Sequence, residues 1–361
     1  MRRCRVGQCV GALIMVLALG MTAGADVEET AMKGSAKVPM EVRYEPAWLS
    51  WVASTTGCLR ALGVDCDTVD VAGYSGYAFV MTVNEGMCPS GPTVFDWGLL
   101  SSGVRSLGRS MLAFRGATCG GTPQDFQAAY EVVRREVEAG RPCVLWGTYI
   151  PEFGIAVGVE DGHYLVKTFK PMMKQPEPPI PFDELKVPGG TYVLAFPSSA
   201  AVVRSEADRA AVRHALTMIA YTSGDARYRS GLEAYDQWIA ALEGGRASGQ
   251  GRGHGNAYNA QCWAEAKRFA HEFLKRLAGR NEAVAEPLGR AAGAYGEAAG
   301  EMKKVADLFT LPCPEDRADD PEVRAQAIEA LRAAKAAETQ AVAALREAAE
   351  AWPREEPPTE Q

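Results

Sequence analysis

Four short apolar runs crowd into residues 143–196, and their spacing commits this part of the chain to a β-sheet. Cys143–Gly147, Pro151–Val159, His163–Phe169 and Thr191–Phe196 are each of strand length and carry β-branched or aromatic residues. Glu160-Asp161-Gly162 joins the second run to the third by a turn short enough for a hairpin, whereas residues 171–181 form a proline-rich loop. Ahead of the sheet, Asp125–Glu138 places Phe126, Tyr130, Val133 and Val137 at three- and four-residue steps, the period of an amphipathic helix that Gly140-Arg141-Pro142 closes. Helix precedes sheet, so the expected class is α+β and not an alternating βαβ arrangement.

Two other segments of this half hold residues of chemical interest. Tyr44–Gly63 reads as helical segments broken near Ser54-Thr55-Thr56-Gly57, with a new helix opening at or beside Cys58. A cysteine so placed meets free backbone N–H groups, which favour a thiolate and a developing oxyanion. The structural alternatives for Cys58 are a buried core residue or a disulfide with Cys66 or Cys88. Gly73–Met81 uses two glycines to make a tight path into a β-like run. Its Tyr74, Ser75 and Tyr77 are candidates for the wall of a ligand groove, or else pack in a turn that binds nothing.

From Ser205 onward the chain is alanine-rich and helical in pattern. Ser205 with Asp208 resembles a capping box before a helix carrying Val212, Leu216 and Ile219. Gly231–Leu242, Asn256–Leu277, Glu282–Asp307 and Pro321–Ala351 are further helices, and Gly244–Gly255 is a flexible loop by composition. Tyr258, Cys262, Ala266, Phe269 and Phe273 share a face that reads first as packing and second as an interdomain surface. The last helix has a thin stripe of Ile328, Leu331, Val342 and Leu345, interrupted by Lys335 and Glu338; it is expected in a small bundle or in a dimer contact. The expected organisation is a linker or extended arm at 26–43, an α+β domain at 44–200, a helical domain at 201–351 and a polar tail at 352–361.

Arg2, Arg3 and Arg5, the apolar stretch Val10–Met21 and Ala23-Gly24-Ala25 have the three parts of a cleavable export signal, with cleavage after Ala25 and a periplasmic or extracellular destination. The apolar stretch is shorter than the ~20 residues a membrane span requires, and no later run is long enough. Cleavage removes three arginines and no acid, so a net charge of −7 becomes −10. That balance offers no basic face to nucleic acid. Seven of the nine cysteines remain, an odd number that leaves a thiol unpaired or paired between chains. Cys58, Cys66, Cys88 and Cys119 lie close enough in sequence for one or two bridges. With no Cys-x-x-Cys pair, four histidines and no phosphate-binding glycine loop, no metal and no cofactor is expected.

A nucleophilic cysteine needs a base, usually histidine. His163, just after the hairpin turn, is the one histidine in the same half as Cys58. His214 and His271 fall in amphipathic helices, and His254 falls in the glycine-rich loop, where a surface role outweighs folding back over a cleft. Glu152 and Asp161 are the acidic candidates for polarising a base.

Cys58 with its helix, Gly73–Phe79, Gly140-Arg141-Pro142 before a strand, and the apolar strand ending in Gly158-Val159-Glu160-Asp161 together resemble the papain-like, bacteriocin-processing cysteine peptidases. Within that group the likeness is greatest to the amino-terminal domains of the butirosin biosynthesis protein H type, over residues 44–200. The resemblance implies a papain-like domain, a cysteine nucleophile, a histidine at the start of the strand leading to the turn, and Asp or Asn on the next strand. Here those places fall at Glu152 or Phe153 and near Lys167 or Thr168, and neither carries the expected side chain. The leading expectation is therefore a non-catalytic module whose groove binds a peptide, a small amide-containing ligand or a protein partner, with Phe153 joining Tyr74, Ser75 and Tyr77 as lining. The runner-up is a cysteine-dependent hydrolase or acyltransferase using Cys58, His163 and Glu152 or Asp161. A third expectation is a helical scaffold that buries residues 321–351 against a partner chain.

Overall fold

The computed structural model describes residues 34–117 and 120–353, so the expected export signal, Cys119 and most of the polar tail lie outside the described residues. Helices α1 (Ser50–Ala61), α2 (Thr68–Tyr74), α3 (Trp97–Val104) and α4 (Pro123–Glu138) come before most of the sheet, the α+β order that the spacing predicts. Strands β3 (Leu112–Arg115), β4 (Cys143–Trp146), β5 (Phe153–Glu160), β6 (His163–Lys167), β7 (Ile180–Pro181) and β8 (Tyr192–Ala195) form one antiparallel sheet in the order β3-β8-β4-β5-β6-β7. The stretch read as a linker or extended arm adds β1 (Ser35–Lys37), antiparallel to the far end of β5 with Ser35 opposite Glu160.

Residues Ser54-Thr55-Thr56-Gly57 do not break the first helix. They lie inside α1 and are buried, and at Gly57 the helix passes close to neighbouring chain. A Cβ on Gly57 would stand 2.1 Å from the Arg43 carbonyl oxygen and 2.6 Å from Ile155 Cδ1 on β5. Gly57→Ala gains at most about 1 kcal/mol of helix propensity but must displace backbone, so a net loss of about 1–3 kcal/mol is expected. Urea unfolding checks this, and an unchanged or higher midpoint refutes it. The helix therefore begins at Ser50, eight residues ahead of Cys58.

Gly73–Phe79 likewise is less a turn than a packing device. Gly73 and Tyr74 end α2, and a Cβ on Gly73 would meet the Phe273 ring of the helical half at 2.2 Å. Gly76 then takes a φ of 77°, and Tyr77–Phe79 make a short 3₁₀ turn.

The second half consists of α5 (Arg204–Ile219), α6 (Leu232–Glu243), α7 (Arg252–Arg280), α8 (Ala285–Leu308) and α9 (Pro321–Ala351), with α8 packed along both α7 and α9. The α9 face Ala327, Leu331, Ala334, Ala341, Leu345 and Ala348 is buried within this one chain, as the bundle expectation requires, which uses up the face the partner-chain scaffold needed. The two halves interlock. Strand β2 (Thr82–Asn84) from the first pairs with β9 (Tyr228–Ser230) from the second, and their apolar cores are continuous. Asp208 does not cap α5, whose N-cap is Val203. It is buried, accepting from Arg280 at 2.7 and 2.8 Å, from Asn281 at 2.9 Å and from the Tyr74 hydroxyl at 2.5 Å, and so ties α2, α5 and α7 together. No described helix is long and apolar enough to cross a membrane.

Candidate functional site

The head of α1 is short of a cap, because Leu49 at its N-cap position has no side-chain oxygen to offer the first amides. The helical half supplies one. Leu49 N–H donates to Glu265 Oε2 of α7 at 3.0 Å, and the Trp48 amide also favours that carboxylate. One residue on, the Ser50 hydroxyl donates to Glu152 Oε2, while Ser50 Oγ accepts the Phe153 N–H at 3.1 Å. Tyr258 of α7 donates its hydroxyl to the other Glu152 oxygen. Two carboxyl groups, one from the turn before β5 and one from α7, therefore bracket the first residues of α1.

Both carboxyls are held above their usual range. Burial pushes Glu152 up to about 7, against the lowering effect of the Ser50 and Tyr258 hydroxyls. Burial pushes Glu265 to about 7 as well, opposed by the Leu49 and Trp48 amides and by Arg268. Burial raises the phenols of Tyr44 and Tyr258 well above their ordinary value, with Glu152 and Glu265 adding to it at Tyr44 and Cys262 and Glu152 at Tyr258. The thiol of Cys262, one turn from Tyr258 and 3.8 Å from the Trp48 carbonyl oxygen, is raised for the same reasons.

Glu152, Glu265, Ser50, Tyr44 and Tyr258 floor an apolar cleft of about 560 Å³. Its rim is formed by Trp48, Ile150, Phe169, Met172, Met173 and Leu311. Seven large apolar side chains are exposed among the described residues, and five of them, Trp48, Ile150, Met172, Met173 and Leu311, are here. Exposed apolar side chains scattered singly mean little, but their convergence on one concavity marks a binding surface. The loop bearing Phe169, Met172 and Met173 is fixed from beneath. Glu177, nearly buried, accepts from the Thr168 amide at 2.5 Å and hydroxyl at 2.9 Å, and Lys170 lies 3.9 Å over the Tyr149 ring.

Of the expected site residues, Glu152 alone lines this cleft. Cys58 sits in the third turn of α1 and is fully buried, its thiol raised well above the ordinary value by desolvation and then by Cys143. Cys58, Cys66 and Cys88 are free thiols, so the bridges expected among them do not form. His163 lies opposite Glu160 at the far end of β5, about 25 Å along the strand from Glu152. There its Nδ1 donates to the Asp161 carbonyl at 2.9 Å, and Asp161 Oδ1 accepts from Gly34 N–H at 3.0 Å, so both serve the hairpin.

The expected ligand-binding set is also structural. Tyr74 donates to Asp208, Ser75 to the Ala72 carbonyl and Tyr77 to the Pro92 carbonyl, while Phe153 packs 4.7 Å from Trp146 and 5.0 Å from Trp97. His214 and His271 donate to the Ser75 and Ala292 carbonyls at 2.9 and 2.7 Å. His254 is in the first turn of α7, not in a loop, and stacks 5.9 Å from Tyr258 at the cleft rim. Sequence reasoning missed Ser50, Tyr258 and Glu265. The signal for the last two is their seven-residue spacing with His254 four residues before, which sets all three on one face of a helix. The chain matches no family model and no curated protein.

Proposed function

We propose that this chain is an exported, non-catalytic module, papain-like in its first half, that binds an apolar, amide-bearing ligand such as a peptide segment in the cleft at the head of α1. The observation that carries this is the convergence of five exposed apolar side chains on a floor of Glu152, Glu265 and Tyr258. Hydroxyls and carboxyls within hydrogen-bond reach of one another orient an amide, and apolar walls hold its side chains. The papain-like part of the reading draws support from α1 packed on an antiparallel sheet with its head beside the start of β5. The Ser50 oxygen already accepts the Phe153 amide, and the desolvated Cys58 thiol is not in the cleft, which favours binding over turnover.

The test uses a mixture of N-acetylated, C-amidated tripeptides carrying Leu, Phe or Met at each position, followed by the shift in melting temperature. Binding is expected, and Met172→Glu with Met173→Glu is expected to weaken it about tenfold, or ~1.4 kcal/mol, without altering the melting temperature of the free protein. Equal binding by that variant, or no shift with any peptide, defeats the reading. Peptide cleavage that disappears in Cys58→Ala would instead establish the hydrolase alternative.

A further inference from the structure

The floor of the cleft carries negative charge that the protein itself scarcely balances. The partners of the Glu152 carboxyl are the neutral hydroxyls of Ser50 and Tyr258, and no ion pair to it occurs among the described residues. Glu265 has Arg268 at 3.8 Å, but that guanidinium is half exposed and lies closer, at 2.8 Å, to Glu272. Lys170, in the loop that carries Phe169, Met172 and Met173, is engaged on the Tyr149 ring. Glu152 and Glu265 bond to Ser50 and Leu49, adjacent residues, so one small group can lie between the two carboxyls. A buried carboxylate without a counter-ion is costly, and a ligand that brings the missing cation removes that cost.

We infer that the cleft takes the free amino terminus of an apolar peptide, with the ammonium between Glu152 and Glu265 and the first side chains against Trp48, Met172 and Met173. This rests on the binding reading above and names its ligand. Charge complementarity selects a cation, and the apolar rim rejects a ligand that is cationic throughout. A terminal ammonium is set directly on the α-carbon that bears the first side chain. It therefore presents charge and apolar surface together, whereas a lysine ammonium stands four carbons from its backbone.

The experiment titrates leucyl-phenylalaninamide, with its free amino group, against the same compound N-acetylated, by calorimetry at pH 7.5. The free amine is expected to bind at least about tenfold more tightly. Glu152→Gln and Glu265→Gln are each expected to remove most of that advantage, and a melting temperature of the unliganded variants no lower than that of the unsubstituted protein controls for folding. Equal affinity of the two compounds overturns the ammonium assignment and leaves the apolar cleft standing. Failure of both to bind overturns the cleft reading and this inference with it. An equal gain with N-acetyl-lysyl-phenylalaninamide overturns the terminus in favour of a lysine side chain.

Discussion

Lys267→Met is expected to lower the free energy of unfolding by about 3–5 kcal/mol, the cost of leaving a buried charge without its partner. Lys267 Nζ on α7 stands 2.6 Å from Glu338 Oε1 on α9, and the two side chains are 0% and 2% exposed. The hydroxyl of Tyr235 donates to Glu338 Oε2 at 2.6 Å, and that of Tyr295 donates to Oε1 at 3.3 Å. One carboxylate thus collects donors from α6, α7 and α8, and removing the ammonium leaves it anionic in the bundle core. The combination of Lys267→Met with Glu338→Gln is expected to recover most of the loss, since a neutral amide accepts from one tyrosine hydroxyl, donates to the other and leaves no net charge stranded. Urea unfolding followed by far-ultraviolet circular dichroism measures all three proteins. A loss under about 1 kcal/mol for Lys267→Met alone would show that the pair is dispensable to the bundle.

The same pair shows why the sequence yields the elements more readily than their assembly. In the stripe on Pro321–Ala351, Glu338 reads as an interruption between apolar residues, because a carboxylate is rarely buried unless paired. Its partner, Lys267, lies 71 residues away and no local pattern joins them. By contrast, the strands at 143–146, 153–160, 163–167 and 192–195 and the long helices of the second half lie close to where period and turn chemistry place them. Those signals are local. The head of α1 was not legible for a related reason: Ser54-Thr55-Thr56-Gly57 resembles a break, yet all four are buried within the helix, and Gly57 is needed for its close approach to Arg43 and Ile155. Losing those eight residues of helix directs attention to Cys58 and away from Ser50. Glu152 was legible as an acidic candidate just before an apolar strand, where a carboxylate points either into a polar pocket or out at the strand end, but Tyr258, which shares its pocket, comes from α7, more than 100 residues on. Tyr258 and Glu265 look like ordinary helix residues until the two halves are put together.

Glu152→Gln is expected to change how stability depends on pH, by on the order of 3 kcal/mol between pH 4.5 and pH 8. The carboxyl has a folded value of about 7 against an ordinary 4.5, so within that window the folded state holds a proton that the unfolded state has released. Stability therefore falls as pH rises from about 4.5 to about 7 and then levels, because above 7 the buried group is ionised and its burial opposes folding in full. Glutamine has no proton to lose. The two proteins should have similar urea midpoints at pH 4.5, with the variant pulling ahead as pH rises to 8, and parallel profiles would refute the argument. Glu265, also at about 7, acts in the same direction, and its Gln variant should add a further gain at pH 8 that is less than fully additive because the two carboxyls adjoin one residue pair. Saturating leucyl-phenylalaninamide supplies the control that joins this behaviour to the cleft. Its ammonium should stabilise the unsubstituted protein at pH 8 far more than either Gln variant, narrowing the gap by restoring a counter-ion where burial has left the carboxylates without one.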